Sequence, residues 1–218
     1  MHIKRTKMLK TWPVPRKGKR QRFVAVSSHA NTNSISLLAI LRDVLKVAST
    51  RKEAKHIVNN GDIKVNNKVR KNDVYPVQTF DTIGMEKSKK YYRLEIVNKK
   101  FSLKEVTKKE SETKIIKISG KTVLGKDKIQ MNLEDGHNII TKTKFNVGDS
   151  IIFNTLTDKV EKVLPLKKGA TVEIIIGKHA GKTGKIVEIE ALKKGKSYKI
   201  KLEDVEVSLP YKTVLVIN

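Results

Sequence analysis

From residue 85 onward, most of the chain consists of short runs in which apolar and polar residues alternate. Such runs include YYRLEIV, FSLKEV, TKIIKI, IQMNL, NIITKTKF and DSIIF, and turn signals such as EDG and NVGD separate them. A period of two is typical of half-buried β-strands, and several short strands at this spacing form a small sandwich or barrel. We therefore expect a mixed α+β protein that is mostly β, with a central β-rich domain at 85–165 and a small β-barrel at 166–218.

Before residue 62 the periodicity is helical. In SLLAILRDVLKVA at 36–48 the apolar side chains share one helical face, and Arg42 and Lys46 lie on the opposite, polar face. The pattern predicts one continuous helix that docks through its apolar side.

A second helix follows directly. Thr50 and Glu53 have the spacing of a capping box, which predicts the start of this helix, and the Asn60-Gly61 pair predicts its end. Ala54, Ile57 and Val58 form its apolar stripe, so the opposite face is left for solvent or a ligand. That basic face consists of Arg51, Lys52, Lys55 and His56.

A basic hairpin comes next. Ile63 and Val65 alternate with polar residues, and Asn66-Asn67 is suited to a two-residue turn between strands. Two helices and a hairpin therefore make up a module at 36–84. The cations clustered around the hairpin are Lys64, Lys68, Arg70 and Lys71.

The first 22 residues contain nine Lys and Arg and no acid. Pro13, Pro15 and Gly18 interrupt any regular element there, and Trp12 is either a core residue or one that stacks on a base. A segment that cannot neutralise its own charge is suited to folding onto nucleic acid. We therefore expect a basic N-terminal arm at 1–35. Its RNA-binding residues are predicted to be Lys4, Arg5, Lys7, Lys10, Arg16, Lys17, Lys19, Arg20 and Arg22.

The whole chain has 47 Lys and Arg against 22 Asp and Glu, which gives a net charge of +25. Such a charge draws a protein onto polyanions, and nucleic acid is the first candidate. A membrane is disfavoured because the sequence has neither a long apolar run nor a basic amphipathic helix with aromatic anchors. Aromatic residues make up 5% of the chain, so base stacking is not expected to be the main mode of binding.

Patterns of catalysis and metal binding are absent from the sequence. There is no cysteine, and the five histidines lack the spacing of metal ligands. No nucleophile elbow is present, and the paired acids of LEDG and LEDVE are typical of turns or solvated faces. We expect no cofactor, no metal, no small-molecule substrate and no enzymatic activity. The segment MHIKRTKMLK lacks the apolar core of a secretory signal, so a cytoplasmic protein is expected.

The run GKHAGKTGK at 177–185 has the residue types of a nucleotide-binding phosphate loop. Only three residues separate Gly177 from Gly181, where that loop needs four. The following IVEIE alternates as a strand does, whereas a phosphate loop must open a helix. We therefore predict a glycine-rich turn between strands, in which Gly181 and Gly184 adopt positive φ. The side chains expected to bind phosphates there are Lys178, Lys182 and Lys185.

Two of these segments resemble known families. The stretch 37–83, centred on TRKEAKHIVNNGDIKVNNKVRKNDVYPV, resembles the helix–helix–hairpin RNA-binding module first named for a bacterial small-subunit ribosomal protein. That module often has Asn-Gly at its turn, and the Asn66-Asn67 found here tolerates positive φ. The run GKHAGKTGKIVEI resembles the KOW motif of ribosomal proteins and transcription elongation factors.

The order of these segments is more specific than either alone. A basic arm, the RNA-binding module, a β-rich segment and a KOW turn in this order resemble the S4e family, the archaeal and eukaryotic type of small-subunit ribosomal protein four. The absence of a long basic C-terminal extension is more similar to the archaeal members. The resemblance implies a structural protein that binds small-subunit ribosomal RNA beside neighbouring ribosomal proteins. Its arm would thread among RNA helices, and its module would lie along a phosphate backbone.

Three other functions share parts of this pattern. A transcription elongation or anti-termination factor would have the KOW turn, would lack the arm and the module, and would bind RNA polymerase. An RNA-modifying enzyme would have the module before a large α/β domain with a catalytic aspartate, for which the remaining residues are too few and too rich in strand patterns. A heat-shock-type protein with the same module would bind the large subunit.

Overall fold

The structure is a computed structural model, and it describes residues 2–15, 22–29, 33–125, 128–192, 195–202 and 205–218. The chain divides into two compact units, Met1–Lys114 and Ile115–Asn218. Both consist mainly of antiparallel strands, which confirms the prediction of a mostly β protein with a small helical part.

The first unit combines short helices with one larger sheet. Its elements are β1 (His2–Lys4), a 3-10 turn (Arg5–Lys7), β2 (Phe23–Ala25), β3 (Ser34–Ser36), α1 (Leu37–Ala39), a π-helix (Ile40–Val44), α2 (Arg51–Asn59), β4 (Ile63–Val65), β5 (Lys68–Val69), β6 (Pro76–Gln78), β7 (Thr82–Met85), β8 (Lys90–Val97), β9 (Lys100–Val106) and α3 (Lys108–Ser111). β1 pairs with β2 and β3 with β6, and a five-stranded sheet has the order β5-β4-β7-β8-β9.

The first helix is shorter than its periodicity predicts. α1 is a single turn that runs into the π-helix, where Leu45 N donates to Ile40 O at 2.8 Å. Lys46 then adopts a φ of 54°, a left-handed conformation that ends helices. The prediction of a continuous helix at 36–48, with Arg42 and Lys46 four apart on one face, is therefore wrong.

The described part of the arm packs against the rest of the first unit. Met8, Trp12 and Val14 are buried, and Trp12 Nε1 donates to Ser34 O at 3.0 Å. Trp12 is therefore a core residue and not one that stacks on a base. The expected lack of regular structure is wrong for residues 2–7, where β1 and a 3-10 turn form because this segment pairs with β2.

A buried ion pair holds the hairpin turn of the first unit. Lys114 Nζ lies 2.6 Å from Asp81 Oδ1, and both side chains are 4% exposed. Asp81 also accepts hydrogen bonds from Asn66 Nδ2 at 2.8 Å and from Gln78 N at 2.7 Å. Because Asn66 is the first residue of the turn between β4 and β5, this ion pair ties the turn to the rest of the sheet.

The second unit contains two five-stranded antiparallel sheets. Its elements are β10 (Thr113–Val123), β11 (Ile129–Leu133), β12 (Asn138–Thr141), β13 (Ser150–Asn154), β14 (Lys159–Leu164), β15 (Thr171–Ile174), β16 (Thr183–Leu192), β17 (Gly195–Lys201), β18 (Glu206–Pro210), a 3-10 turn (Tyr211–Thr213) and β19 (Val214–Val216). The central sheet has the order β12-β11-β10-β13-β14, and the C-terminal sheet has the order β18-β17-β16-β15-β19. Each sheet buries its own apolar cluster.

The predicted segment boundaries relate to these sheets in different ways. The boundary at 84/85 falls inside one sheet, since β7 pairs with β8. In the C-terminal sheet β18 and β19 are the two edges of the described pairing, so closure into a barrel stays a prediction. Whether the segments 1–35, 36–84, 85–165 and 166–218 each fold alone also stays a prediction.

One lysine is buried within the second unit. Lys117 on β10 is 4% exposed, and its Nζ donates to Tyr211 O and, at 2.7 Å, to Val214 O. Burial lowers the pKa of Lys117 from 10.5 to about 8, and the charge of Glu134 offsets part of this change. Lys117 thereby joins the central sheet to the short link between β18 and β19.

We expect Lys117 to make the protein more stable as the pH rises from about 8 to 10.5. In that interval the folded state has released the proton and the unfolded chain still binds it, so stability increases with pH. The full change corresponds to on the order of 3 kcal/mol in the free energy of unfolding. Urea titrations along this pH range should show the increase in the wild type and not in Lys117→Met. An equal increase in both proteins would contradict the assignment.

Candidate nucleic-acid interface

The second helix begins at the predicted capping box. Thr50 Oγ1 accepts a hydrogen bond from Glu53 N at 3.3 Å, and the Glu53 carboxylate accepts from Ser49 N at 2.7 Å and from Thr50 N at 3.4 Å. The hydrogen bonds that the Glu53 carboxylate accepts, that from Ser49 N first, lower the pKa of Glu53. Gly61 follows the helix with a φ of 79°, which suits the predicted stop. The bounds of α2 are therefore determined locally.

Burial divides α2 into the two predicted faces. Ala54 and Val58 are fully buried. Arg51 is exposed but engaged within the chain, because its Nε donates to Asp73 Oδ2 at 2.8 Å. The other exposed basic side chains of this face are Lys52, Lys55 and His56. Among the described residues, neither of these two lysines forms an ion pair, so they are the cations this face offers to a ligand.

The Asn66-Asn67 turn forms as predicted, with φ values of 51° and 61°. Both side chains also make hydrogen bonds. Thr82 N donates to Asn66 Oδ1 at 3.0 Å, and Asn67 Nδ2 donates to Ser111 O at 3.4 Å. Glycine at the second position would lose the latter bond, which explains why asparagine is suited to this turn.

The four cations around the hairpin differ in their surroundings. Lys64 Nζ lies 2.7 Å from Glu86 Oε1, and the Arg70 guanidinium lies 4.6 Å from the centre of the Tyr75 ring. These contacts hold the side chains of Lys64 and Arg70 in place. The two that are exposed are Lys68 and Lys71.

The cations of the first helix and the arm also differ. Arg42 Nη2 lies 2.8 Å from Asp43 Oδ2, and its side chain is 13% exposed, whereas Lys46 is exposed beyond the end of the helix. Arg5 is half-buried. The exposed cations of the arm are Lys4, Lys7, Lys10 and Arg22. Four further predicted residues lie outside the described residues: Arg16, Lys17, Lys19 and Arg20.

The glycine-rich turn joins β15 to β16. Gly177 and Gly181 have φ values of 112° and 84°, and Gly181 N donates to Ile174 O at 2.8 Å. Ala180 is buried beneath the turn. Thr183 begins a strand and not a helix, so the backbone of a nucleotide-binding phosphate loop is excluded here. The three predicted cations of the turn are all exposed: Lys178, Lys182 and Lys185.

Gly184 is required for close packing, and its predicted role in positive φ is wrong. A Cβ at this position would lie 2.6 Å from Lys201 O and 2.7 Å from Ile200 Cγ2. Backbone cannot yield at such a distance without moving β16 away from β17. The positive φ of the turn belongs to Gly177 and Gly181 instead.

We expect Gly184→Ala to lower the free energy of unfolding by about 1–3 kcal/mol, as overpacking does. The matched control is Gly125→Ala, because a Cβ there meets nothing within 4 Å. Urea unfolding of both variants measures the difference. Equal stability of the two variants would show that β16 and β17 tolerate a methyl group between them.

The strand after the turn places two lysines opposite each other. Lys185 on β16 is in register with Lys201 on β17, and both are exposed. Lys199, on the same strand as Lys201, lies 3.3 Å from Glu188 Oε2 and 2.5 Å from Glu190 Oε1. Like charges directly opposite each other destabilise a strand pair, so a bridging anion would stabilise Lys185 and Lys201. Lys201 was not predicted, because register across a bulged strand pair cannot be inferred from periodicity.

Among the residues with described positions, no three His, Asp or Glu side chains are grouped to hold a metal ion. In that part of the chain no helix is long and apolar enough to cross a membrane. The surface does present exposed lysines and arginines, distributed over the arm, α2, the hairpin and the glycine-rich turn.

Known families match three consecutive parts of the chain. They are the S4 domain at 37–83, ribosomal family S4e at 88–160 and the KOW motif at 168–203. Small ribosomal subunit protein eS4 of Methanosphaera stadtmanae is 37% identical over 207 residues, which cover 94% of this chain and 86% of that protein. The chain belongs to the S4e family.

Other S4e proteins agree with this assignment. Small ribosomal subunit protein eS4 of Archaeoglobus fulgidus is 35% identical over 201 residues, covering 92% of this chain and 81% of that protein. The crystal structure of the 30S ribosomal protein S4e from Thermoplasma acidophilum superposes with a TM-score of 0.75 at 27% identity, covering 85% of this chain and 95% of that one. The resemblance to the archaeal type of this family is confirmed.

The matched segments coincide with the elements described above. The S4 match contains both helices and the hairpin, and the KOW match contains the glycine-rich turn with β15, β16 and β17. The two candidate RNA-binding surfaces of this S4e protein are therefore α2 with its hairpin in the first unit, and the KOW turn with its flanking strands in the second.

Proposed function

We propose that this S4e protein is a structural component of the small ribosomal subunit in the cytoplasm, where it binds ribosomal RNA through the phosphate backbone. It supports subunit assembly and translation beside neighbouring ribosomal proteins, and it does not catalyse a reaction. The named relatives are small-subunit ribosomal proteins, which supports this placement. Duplex RNA is recognised by its shape and by phosphate and 2′-hydroxyl contacts, for which a lysine-rich surface poor in aromatic residues is suited.

The proposed phosphate ligands are the predicted cations of the arm, the module and the KOW turn, with Lys201 added. We assign the larger contributions to exposed lysines that no carboxylate neutralises, because a cation already paired within the chain gains less from a phosphate. By this criterion Lys52 and Lys55 contribute more than Arg51, and Lys201 contributes more than Lys199.

The in-register pair Lys185 and Lys201 is the observation that most directly supports phosphate binding. Within one sheet, Lys199 forms ion pairs with two glutamates, whereas neither Lys185 nor Lys201 forms an ion pair among the described residues. Glu206 on β18 is in register with Lys201 on its other side. Glu206 offsets part of the charge of Lys201, but the in-register neighbours of Lys185 are Thr171 and Lys201, neither of which is acidic. An RNA phosphate between the two ammonium groups removes their repulsion.

The test compares Lys201→Gln with Lys199→Gln, which change the net charge equally on one strand. Binding to purified small-subunit ribosomal RNA is measured over a series of salt concentrations. Lys201→Gln is expected to weaken binding and to reduce the slope of log K against log salt by about 1. Lys199→Gln is expected to leave both quantities unchanged. Equal effects of the two variants would mean that binding follows net charge alone.

A transcription elongation or anti-termination factor is not favoured. Such a factor would have the KOW turn without the basic arm and the RNA-binding module, whereas this chain has an S4 domain and an S4e segment before its KOW motif. An RNA-modifying enzyme is not favoured either, because the residues after the module form antiparallel sheets and not a large α/β domain.

A further inference from the structure

A cavity of about 280 Å³ opens beside the KOW turn, within the second unit. Its lining comes from β10, from the loops that follow β11 and β15, and from the 3-10 turn after β18. The lining residues are Lys117, Ser119, Glu134, Ile176, Tyr211 and Lys212. Neither the phosphate contacts proposed above nor the two apolar clusters of the unit account for this cavity.

Backbone hydrogen bonds bring the cavity next to the KOW turn. Ile175 N donates to Thr213 O at 2.9 Å, so the 3-10 turn with Tyr211 and Lys212 lies alongside the end of β15. Ile176 is 43% exposed and directly precedes Gly177, the first residue of the turn. A chain that contacts Lys178 on the turn therefore passes the mouth of the cavity.

The walls of the cavity combine apolar surface with a fixed positive charge. Ile176 and the Tyr211 ring supply apolar surface, and Tyr211 is only partly buried. The Lys117 side chain is buried, with 4% of its surface exposed. Its Nζ donates to the carbonyl oxygens of Tyr211 and Val214. An ammonium group has three donors, so two such bonds leave one for a further acceptor.

We propose that this cavity receives a single unstacked base of the RNA strand whose phosphates contact Lys178 and Lys212. The proposal rests on the proposed function, since it assumes that RNA passes the KOW turn. Single-stranded RNA is bound with its bases splayed out onto apolar and aromatic side chains. The cavity lies just below the range of about 300–1,000 Å³ that holds drug-sized ligands, so one base fits and a base pair does not.

Charge also favours a nucleotide over an apolar protein side chain. The lysines at the cavity and on the adjoining turn outnumber Glu134, the one acid of the lining. A base brings a phosphate on either side, which would meet Lys178 and Lys212 at the rim. It also brings carbonyl or ring-nitrogen acceptors, which would meet the remaining donor of Lys117.

The experiment is ultraviolet cross-linking of intact small subunits, followed by mass spectrometry of the cross-linked peptides. The peptide with Tyr211 is expected to contain one nucleotide adduct. In Ile176→Ala the yield of this adduct is expected to fall severalfold, and the adducted base should become reactive to a base-specific chemical probe. The matched control is Val187→Ala, because Val187 is 45% exposed on the same sheet and does not line the cavity. Its yield should match the wild type.

The outcomes separate this inference from the function on which it rests. RNA adducts on the peptide with Lys178 but none on the peptide with Tyr211 would overturn the base site and leave RNA binding at the turn intact. A protein cross-link at Tyr211 would overturn it in favour of a neighbouring protein. If subunits contain the protein and neither peptide bears RNA, both proposals fail. Equal adduct yields in Ile176→Ala and the wild type would place the base outside the cavity.

Discussion

Replacing Lys52 and Lys55 together by glutamine is expected to weaken binding to small-subunit ribosomal RNA about 100-fold at ~0.1 M salt. Each phosphate contact contributes about tenfold under these conditions through the release of counterions. Both side chains are exposed on α2, and no ion pair holds either of them among the described residues. Glutamine is a good helix former, so the helix should persist without the charges.

The matched control for this pair is Lys159→Gln with Lys162→Gln. Both lysines are exposed on β14, an edge strand of the central sheet, and their replacement changes the net charge equally. Titrations over a salt series should show a slope reduced by about 2 for the α2 variant and little change for the control. Equal losses in the two variants would contradict the assignment of RNA contacts to α2.

Lys114→Met is expected to lower the free energy of unfolding by about 3–5 kcal/mol, because it leaves a buried carboxylate without its partner. The two side chains are 4% exposed each, and Asp81 binds the hairpin turn through Asn66. Amide hydrogen exchange at Asn66 and Thr82 should therefore become faster in the variant. Urea unfolding of the full chain gives the change in free energy.

A second variant separates charge from packing. Asp81→Asn combined with Lys114→Met removes both charges, and it should recover part of the lost stability because no unpaired ion remains in the interior. A loss below about 1 kcal/mol in Lys114→Met, which is the size seen for exposed pairs, would mean that this ion pair does not hold the hairpin.

Features determined within a few residues were predictable from the sequence. The capping box of Thr50 and Glu53 predicted the start of α2, and the left-handed turn at Asn66-Asn67 formed as expected. A second capping box, at Thr107 and Glu110, has the same spacing and starts α3. These signals are reliable because the hydrogen bonds that satisfy them are local.

Features that depend on distant residues were not predictable. Arg51 pairs with Asp73, 22 positions away, and Lys201 meets Lys185 only through the register of two strands. The helix predicted at 36–48 ends early because Lys46 adopts a left-handed conformation. Such a conformation is usually predicted from a glycine or an asparagine, and position 46 has neither. The burial of Trp12 likewise involves Ser34, which lies 22 positions further along the chain.

The most direct test of the account is the sedimentation of this protein in a cell lysate, at low salt and again after a high-salt wash. Purely electrostatic binding is lost steeply as salt rises, because it depends on counterion release. An integral S4e protein, with the proposed RNA-binding surfaces on both of its units, is expected to remain with the small subunit in stoichiometric amounts after the wash. Release by salt, or sedimentation with RNA polymerase or the large subunit, would contradict the proposed place of this protein in the ribosome.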